Sequence, residues 1–267
     1  MTNLKLYKEL DPNNFYLLGV DTAKSLVGDF ATIEIFDYVS FEQIGEFYAR
    51  LGSITKFTEI VKAVIKFVYS KVGTRLLAGI ENNSIGAAVV ESLLNDEDFD
   101  YAPFIYETET KTKTKNGFVE VKSQYGIVTS TRTKDQMISL LYEVFNNNPS
   151  NIHSSDLISQ LSVIEKKING AISASSGHHD DLFMASCFCA YIRKNAAMDI
   201  EPLIDINPAQ FQLKQDNLVT NLMSINNTPN VKQIKSYYGD VEHTIFHSNK
   251  EEEDEDEIDY SDLPLIF

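Results

Sequence analysis

The stretch NFYLLGVDTA, residues 14–23, decides how the rest of the chain is read. Phe15 to Val20 form an apolar run of strand length, read as a buried strand. The run ends at Asp21, so a carboxylate stands at the strand's C-terminal end. Ligands of open α/β sheets bind at that end. An Asp after a strand also often starts a turn. What Asp21 does therefore depends on which other residues the fold brings to it.

Reading outward, FATIEIFDYV (30–39) alternates as a second strand and EQIGEFYARL (42–51) as a third, with links short enough for an antiparallel meander. SITKFTEIVKAVIKFVYSKV (53–72) carries Ile54, Phe57, Ile60, Val61, Val64, Ile65 and Val68 at helical spacing, with Ser53 or Thr55 as cap. TRLLAGIENN (74–83) is again an apolar strand ending in an acid, Glu81. Strand, long helix and strand make a crossover, which places two parallel strands in one sheet. If those strands are neighbours, Asp21 and Glu81 emerge together at one sheet edge. SIGAAVVESLLN (84–95) reads as a helix and APFIYET (102–108) as another short strand. TKTKTKNGFVEVKSQ (110–124) alternates around Asn116-Gly117, a hairpin signal. TKDQMISLLYEVFNN (133–147) is expected as a helix capped by Thr133. SNIHSSDLISQLSVIEKKIN (150–169) reads as a short strand and further helix or strand. LFMASCFCAYIRK (182–194) is expected as a closing helix, with Leu182, Ala185, Phe188 and Cys189 on one side. The sum is an α/β protein: a mixed five-stranded central sheet flanked by helices, with an extra β-hairpin.

The expected division is a domain over 1–200, a polar, turn-rich appendage over 201–249 and an acidic tail over 250–267, expected to be disordered. The tail stretch EEEDEDEIDYSD (251–262) holds nine acids, so the net charge of −16 falls to about −7 without it. Whole-chain charge is thus a poor guide to a nucleic-acid partner. The segment 111–134 leans positive, with Lys111, Lys113, Lys115, Lys122, Arg132 and Lys134 against Glu120. No apolar run reaches 18 residues and the first ten residues lack a signal-peptide core, so no membrane partner is expected. Cys187 and Cys189 lie two apart in the last helix, where side chains diverge, so no disulfide is expected and a reducing compartment fits.

The closing helix is preceded by GHHDD (177–181). Asp180 and Asp181 could be an N-cap cluster favoured by the helix dipole. They could also reach Asp21 and Glu81, with Asp181, one turn before the small Ala185, as the inward acid. Carboxylates gathered at one point do not all stay ionised without a cation. Hard oxygen ligands of this kind suit Mg²⁺ or Mn²⁺, one or two ions, and phosphodiester hydrolysis by activated water. His178, His179 and the two cysteines match no structural zinc spacing. GVDTAKSLVGD (19–29) lacks the Gly-Lys-Ser/Thr element of a phosphate-binding loop. The Lys/Thr hairpin is either a solvated ribbon or a set of phosphate contacts.

GVDTAKSLVGDF, IENNSIG, YGIVTSTRTKDQMI and GHHDDLFMA, in that order, resemble the C-terminal nuclease domain of the large terminase of tailed bacteriophages, over about residues 15–195. The resemblance implies an RNase H-like fold and a metal-dependent endonuclease that cuts concatemeric viral DNA during packaging. It implies Asp21, Glu81 and Asp181 as catalytic residues, with Asp180 also on the metal. Asp29 and His179 would stand beside these ligands. The implied partners are double-stranded DNA, a terminase ATPase domain or chain, the portal protein and the small terminase, in the cytoplasm of an infected bacterium. The motor that normally precedes such a domain has no counterpart in this sequence. Two other readings remain: another nuclease of the same fold, such as a resolvase, or a docking module for portal and motor.

Overall fold

In the computed structural model, Tyr16–Asp21 is the strand around which the sheet is built. The structure describes residues 3–22, 30–83, 85–113, 119–167, 171–204, 231–235 and 242–246. The chain divides into two units, Met1–Asp205 and Ile206–Phe267. The first contains a five-stranded sheet in the order β1-β4-β3-β2-β5, formed by β1 (Leu4–Leu6), β2 (Tyr16–Asp21), β3 (Ala31–Asp37), β4 (Gln43–Ala49) and β5 (Leu76–Ile80). Strands β1 to β4 pair antiparallel, whereas β5 runs parallel to β2 after the crossover through α1 (Ile54–Val72). The sheet is therefore mixed, as expected.

Alternation along β2 sends side chains to two separate cores. Tyr16, Leu18 and Val20 pack with Phe57, Val61, Val64 and Val68 of α1 and with Val89 and Leu93 of α2 (Ile85–Leu94). Phe15 and Leu17 pack with Met137 and Leu141 of α3 (Thr131–Asn147), Leu157 and Leu161 of α4 (Ser155–Leu161), and α5 (Asp181–Asn195). Helix α5 buries ten of its fifteen residues, Leu182 to Ala190 and Ile192, so it is the central helix of its layer. Ser53 caps α1 by accepting the Lys56 N–H, and Gly73, at φ 64°, ends it by donating to Tyr69 O.

Several expectations are corrected. APFIYET is not the fifth strand: Ala102–Phe104 is a 3₁₀ turn, with Pro103 unable to donate to a ladder, and only Ile105 bridges β5, at Ala78. The fifth strand is the N-terminal Leu4–Leu6, on the far edge beside β4. Helix α3 starts earlier than expected, with Ser130 as cap and Thr133 completing a capping box from its third position. The segment from 150 has no strand before its helix; α4, capped by Ser154, precedes a short antiparallel pair, β8 (Ile164–Lys166) and β9 (Ile172–Ala174). The extra hairpin is present as β6 (Glu107–Lys113) and β7 (Val119–Tyr125), in register from Glu107–Tyr125 to Lys113–Val119. Its expected Asn116-Gly117 turn lies outside the described residues.

A four-residue helix, α6 (Ala197–Ile200), follows α5. In the second unit the described residues form an antiparallel pair, β10 (Val231–Lys235) and β11 (Glu242–Phe246), within the segment read as a polar, turn-rich appendage. The acidic run 250–267 lies outside the described residues. Among those described, no helix is long and apolar enough to cross a membrane.

Candidate active site

Strands β2 and β5 close in the same three-residue form: Gly19-Val20 lies in register with Gly79-Ile80, and the acids Asp21 and Glu81 follow. The Glu81 N–H donates to Val20 O at 3.0 Å and carries the ladder one residue past β5. Val20 and Ile80 enter the α1/α2 core, so the next residues, Asp21 and Glu81, turn to the α5 face. The glycines explain how α5 comes so near. A Cβ at Gly19 would lie 1.8 Å from Ala185 O, and one at Gly79 would meet methyl groups of Ile127 and Ile192. Helix α5 thus rests on backbone, with its first turn over the two acids.

That first turn begins at Asp181, with Asp180 in the N-cap position. The Asp180 side chain makes no capping hydrogen bond. The N–H of Phe183, which a cap would ordinarily bind, donates instead to Gln160 Oε1 of α4 at 3.1 Å. The acid pair thus sits at the helix start, where the dipole favours it, but the side-chain cap bond is made by another residue.

Asp21, Glu81, Asp180 and Asp181 line one cavity of ≈ 400 Å³ together with Thr22, Thr129, Lys134, Gly177, His178, His179 and Met184. Asp21 and Glu81 are almost fully buried, at 8% and 7% exposure. Burial, and then the negative charges of Glu81, Asp181 and Asp180, hold the Asp21 carboxyl well above the usual carboxylate range; a hydrogen bond with Glu81 adds to this. Lys134 Nζ lies 3.7 Å from Asp180 Oδ2, a loose pairing within the acidic wall. His179 Nδ1 stands 3.5 Å from Asp181 Oδ2, and its ring meets the Phe30 ring edge-on at 5.0 Å.

Glu81 is held from the other side. The Ile127 N–H donates to Ile80 O at 2.7 Å and the Asn82 N–H to Ile127 O at 2.7 Å, so the segment after β7 is stitched to the end of β5. This places Thr129, whose hydroxyl donates to Glu81 Oε1 at 2.9 Å. Asn83 Nδ2 also donates to Glu81 Oε1, at 3.3 Å, and to the Thr129 hydroxyl.

The donor chemistry fits a hard divalent cation: several carboxylates from three separate elements, one of them destabilised in its charged form by the rest. The oxygens share a cavity wall rather than a preformed shell. Among the described residues, no group of three or more His, Cys, Asp or Glu side chains is already arranged to hold a metal ion.

The predicted site residues divide by place. Asp21, Glu81, Asp180, Asp181, His179 and Lys134 come together in the cavity. Arg132 is exposed in the first turn of α3 and does not line it. Lys111 and Lys113 fall on β6, and Lys122 on β7 pairs with Thr110, a position of opposite parity. Asp29 and Lys115 lie outside the described residues. Cys187 and Cys189 are buried free thiols, raised by burial, and take no part in the cavity. Sequence reasoning missed Thr129 and Gln160, whose partners come from other elements. It also missed the repeated Gly-apolar-acid ending, which was visible.

A parallel strand pair ending in two acids, crossed by a helix that begins with two more, defines the class: a mixed α/β fold of RNase H-like type. No family model matches the sequence, and no curated protein matches it. Solved structures do. The chain is similar to the large terminase nuclease of thermophilic phage G20c, solved with bound cobalt, at TM-score 0.50 and 13% identity over 71% of this chain and 87% of that one. The same nuclease with bound magnesium gives 0.49 and 14%, over 71% and 87%. The large terminase nuclease domain of Thermus phage P74-26 gives 0.46 and 13%, over 71% and 85%. The fold of this chain is that of a large-terminase nuclease domain.

Proposed function

We propose that the chain is a divalent-metal-dependent endodeoxyribonuclease that cuts concatemeric viral DNA during genome packaging. The observation that carries this reading is the meeting of Asp21, Glu81 and Asp181 at one cavity, from two strand ends and a helix start. Asp21, Glu81 and Asp181 would hold Mg²⁺ or Mn²⁺, one or two ions, with Asp180 flanking. Bound there, the cation supplies positive charge at the scissile phosphate and makes water a better nucleophile.

The chain's own residues do the rest. Thr129 and Asn83 hold Glu81 in orientation. Lys134, the cation in the cavity wall, binds a phosphate oxygen. The β6–β7 hairpin, whose end is stitched to β5 beside Glu81, offers Lys111 and Lys113 to the duplex backbone, with Lys115, Lys122 and Arg132 as further contacts. Water attacks phosphorus, the P–O3′ bond breaks, and the products carry 5′-phosphate and 3′-hydroxyl ends. The partners of such an enzyme are double-stranded DNA, a terminase ATPase domain or chain, the portal and the small terminase, in the host cytoplasm.

The test is cleavage of plasmid and linear duplex DNA with Mg²⁺ or Mn²⁺. Wild type is expected to cut both, and Asp21→Asn neither, with its circular dichroism unchanged. Cutting by Asp21→Asn at the wild-type rate sinks the assignment of Asp21. Preference for four-way junctions over linear duplex replaces the terminase reading with a resolvase one.

A further inference from the structure

We propose that Gln160 is a positioning residue of this site: by capping α5 from outside, it keeps the Asp180 carboxylate turned to the cavity. A helix beginning after an Asp ordinarily uses that side chain as its cap, accepting from the second or third N–H. Here Asp180 occupies the N-cap position, its carbonyl takes the first intrahelical bond from the Met184 N–H, and its carboxylate makes no cap bond. Phe183, whose N–H is the natural target, is served by Gln160 Oε1 at 3.1 Å. An acid that caps its own helix is committed to that N–H. An acid relieved of that task faces Lys134, at 3.7 Å, in the cavity.

Gln160 is suited to the task because it is held at both ends. It is buried, at 7% exposure, and its Nε2 donates to the Tyr48 hydroxyl at 3.2 Å. Tyr48 stacks on Phe30 at 4.0 Å, and Phe30 meets the edge of His179, the imidazole beside Asp181. The carrier helix α4 is fixed too. Gln43 Oε1 accepts the N–H groups of His153 and Ser154 at 2.9 and 2.8 Å, and Ser154 caps Leu157 at 3.0 Å. A continuous path thus runs from β4 through α4 to the first turn of α5. It ends on the residues that the proposed function places around the metal, so the metal arm of the test rests on that reading.

The test is a double-mutant cycle of Gln160→Leu and Asp180→Ala, read in two ways. The first is the exchange rate of the Phe183 amide without metal. In Gln160→Leu, Asp180 takes over the cap and protection persists; in the double variant it is lost, with exchange at least about tenfold faster. Gln160→Glu keeps the acceptor and is expected to leave Phe183 protected, which guards against simple misfolding. The second is the Kd for Mn²⁺, with free ion counted by electron paramagnetic resonance. Gln160→Leu weakens binding about tenfold, but adds nothing in the Asp180→Ala background. Equal effects of Gln160→Leu in both backgrounds, or Phe183 protection that survives in the double variant, overturn the proposal. Wild type that binds no Mn²⁺ contradicts the nuclease reading instead, and the amide exchange still decides the capping role of Gln160.

Discussion

Asp21 and Glu81 stand side by side where two parallel strands end, joined by the Glu81 N–H to Val20 O bond of 3.0 Å and lining one cavity. A long crossover, including the whole of α1, lies between them in the chain. The sheet register sets their separation at the spacing of adjacent strands, about 4.8 Å. With α5 laid across them, neither acid reaches bulk water freely, and burial together with the charge of Glu81 raises the cost of ionising Asp21.

Neutralising Asp21 is therefore expected to stabilise the metal-free protein while abolishing its activity. Asp21→Asn removes a group whose ionised form is opposed by burial and by Glu81, Asp181 and Asp180. Its Tm without metal is predicted to exceed that of wild type, with the gap closing as Mg²⁺ is added. A lower Tm for the variant without metal would mean that the Asp21 carboxylate is not under the strain described.

The same repulsion sets a pH dependence. Asp21 is raised by burial and its acid neighbours. Glu34 is raised by burial and by Glu46, its partner directly across β3 and β4. Glu46 is fully buried as well, with Lys5 Nζ at 2.8 Å. Above the ordinary carboxylate range, about pH 4, the folded state binds more protons at Asp21 and Glu34 than the unfolded state does. Stability in metal-free buffer is thus expected to fall as pH rises from about 5 to 8. Urea midpoints across that range check it, and Asp21→Asn/Glu34→Gln is predicted to flatten the slope. A midpoint that rises with pH would reverse the sign and contradict the account.

Gly19 tests the contact that brings α5 to the acids. Ala at this position would place a methyl 1.8 Å from Ala185 O, and a backbone carbonyl within a packed helix cannot swing aside. Gly19→Ala is predicted to cost about 3 kcal/mol or more and to eliminate cleavage, although no carboxylate is altered. Gly52→Ala, where nothing lies within 4 Å, serves as control and is expected to change stability by less than about 0.5 kcal/mol. Equal denaturation midpoints for the two variants would remove the close-approach argument.

Charge on the hairpin is tested by salt. Replacing Lys111, Lys113 and Lys115 together by Ala is expected to weaken DNA binding. The slope of log K against log salt should shrink by about 0.9 for each phosphate that is no longer neutralised. Because Lys122 sits at a position of opposite parity, its replacement is predicted to change affinity less than the triple variant does. An unchanged slope in the triple variant would show that the hairpin does not touch the backbone of DNA.

Most of the sheet was legible in the sequence because its inner strands are bounded apolar runs with short links. Leu4–Leu6 was missed because three residues on an exposed edge carry no period, and APFIYET misled because its apolar content hides Pro103 in a 3₁₀ turn. The acids could be found because each ends a strand or starts a helix. Thr129 and Gln160 could not, since their meaning lies in partners 48 and 23 residues away. The Asp180–Asp181 pair was ambiguous for a physical reason: an acid at a helix start can serve as a cap or as a ligand, and the sequence does not show that Gln160 takes the Phe183 N–H.

The most direct measurement is a crystal soaked in Mn²⁺, with the anomalous signal located at the metal's absorption edge. The account predicts a peak bounded by carboxylate oxygens of Asp21, Glu81 and Asp181, at about 2.2 Å for a hard cation. Manganese seated elsewhere, with those three carboxylates turned away from it, would contradict it.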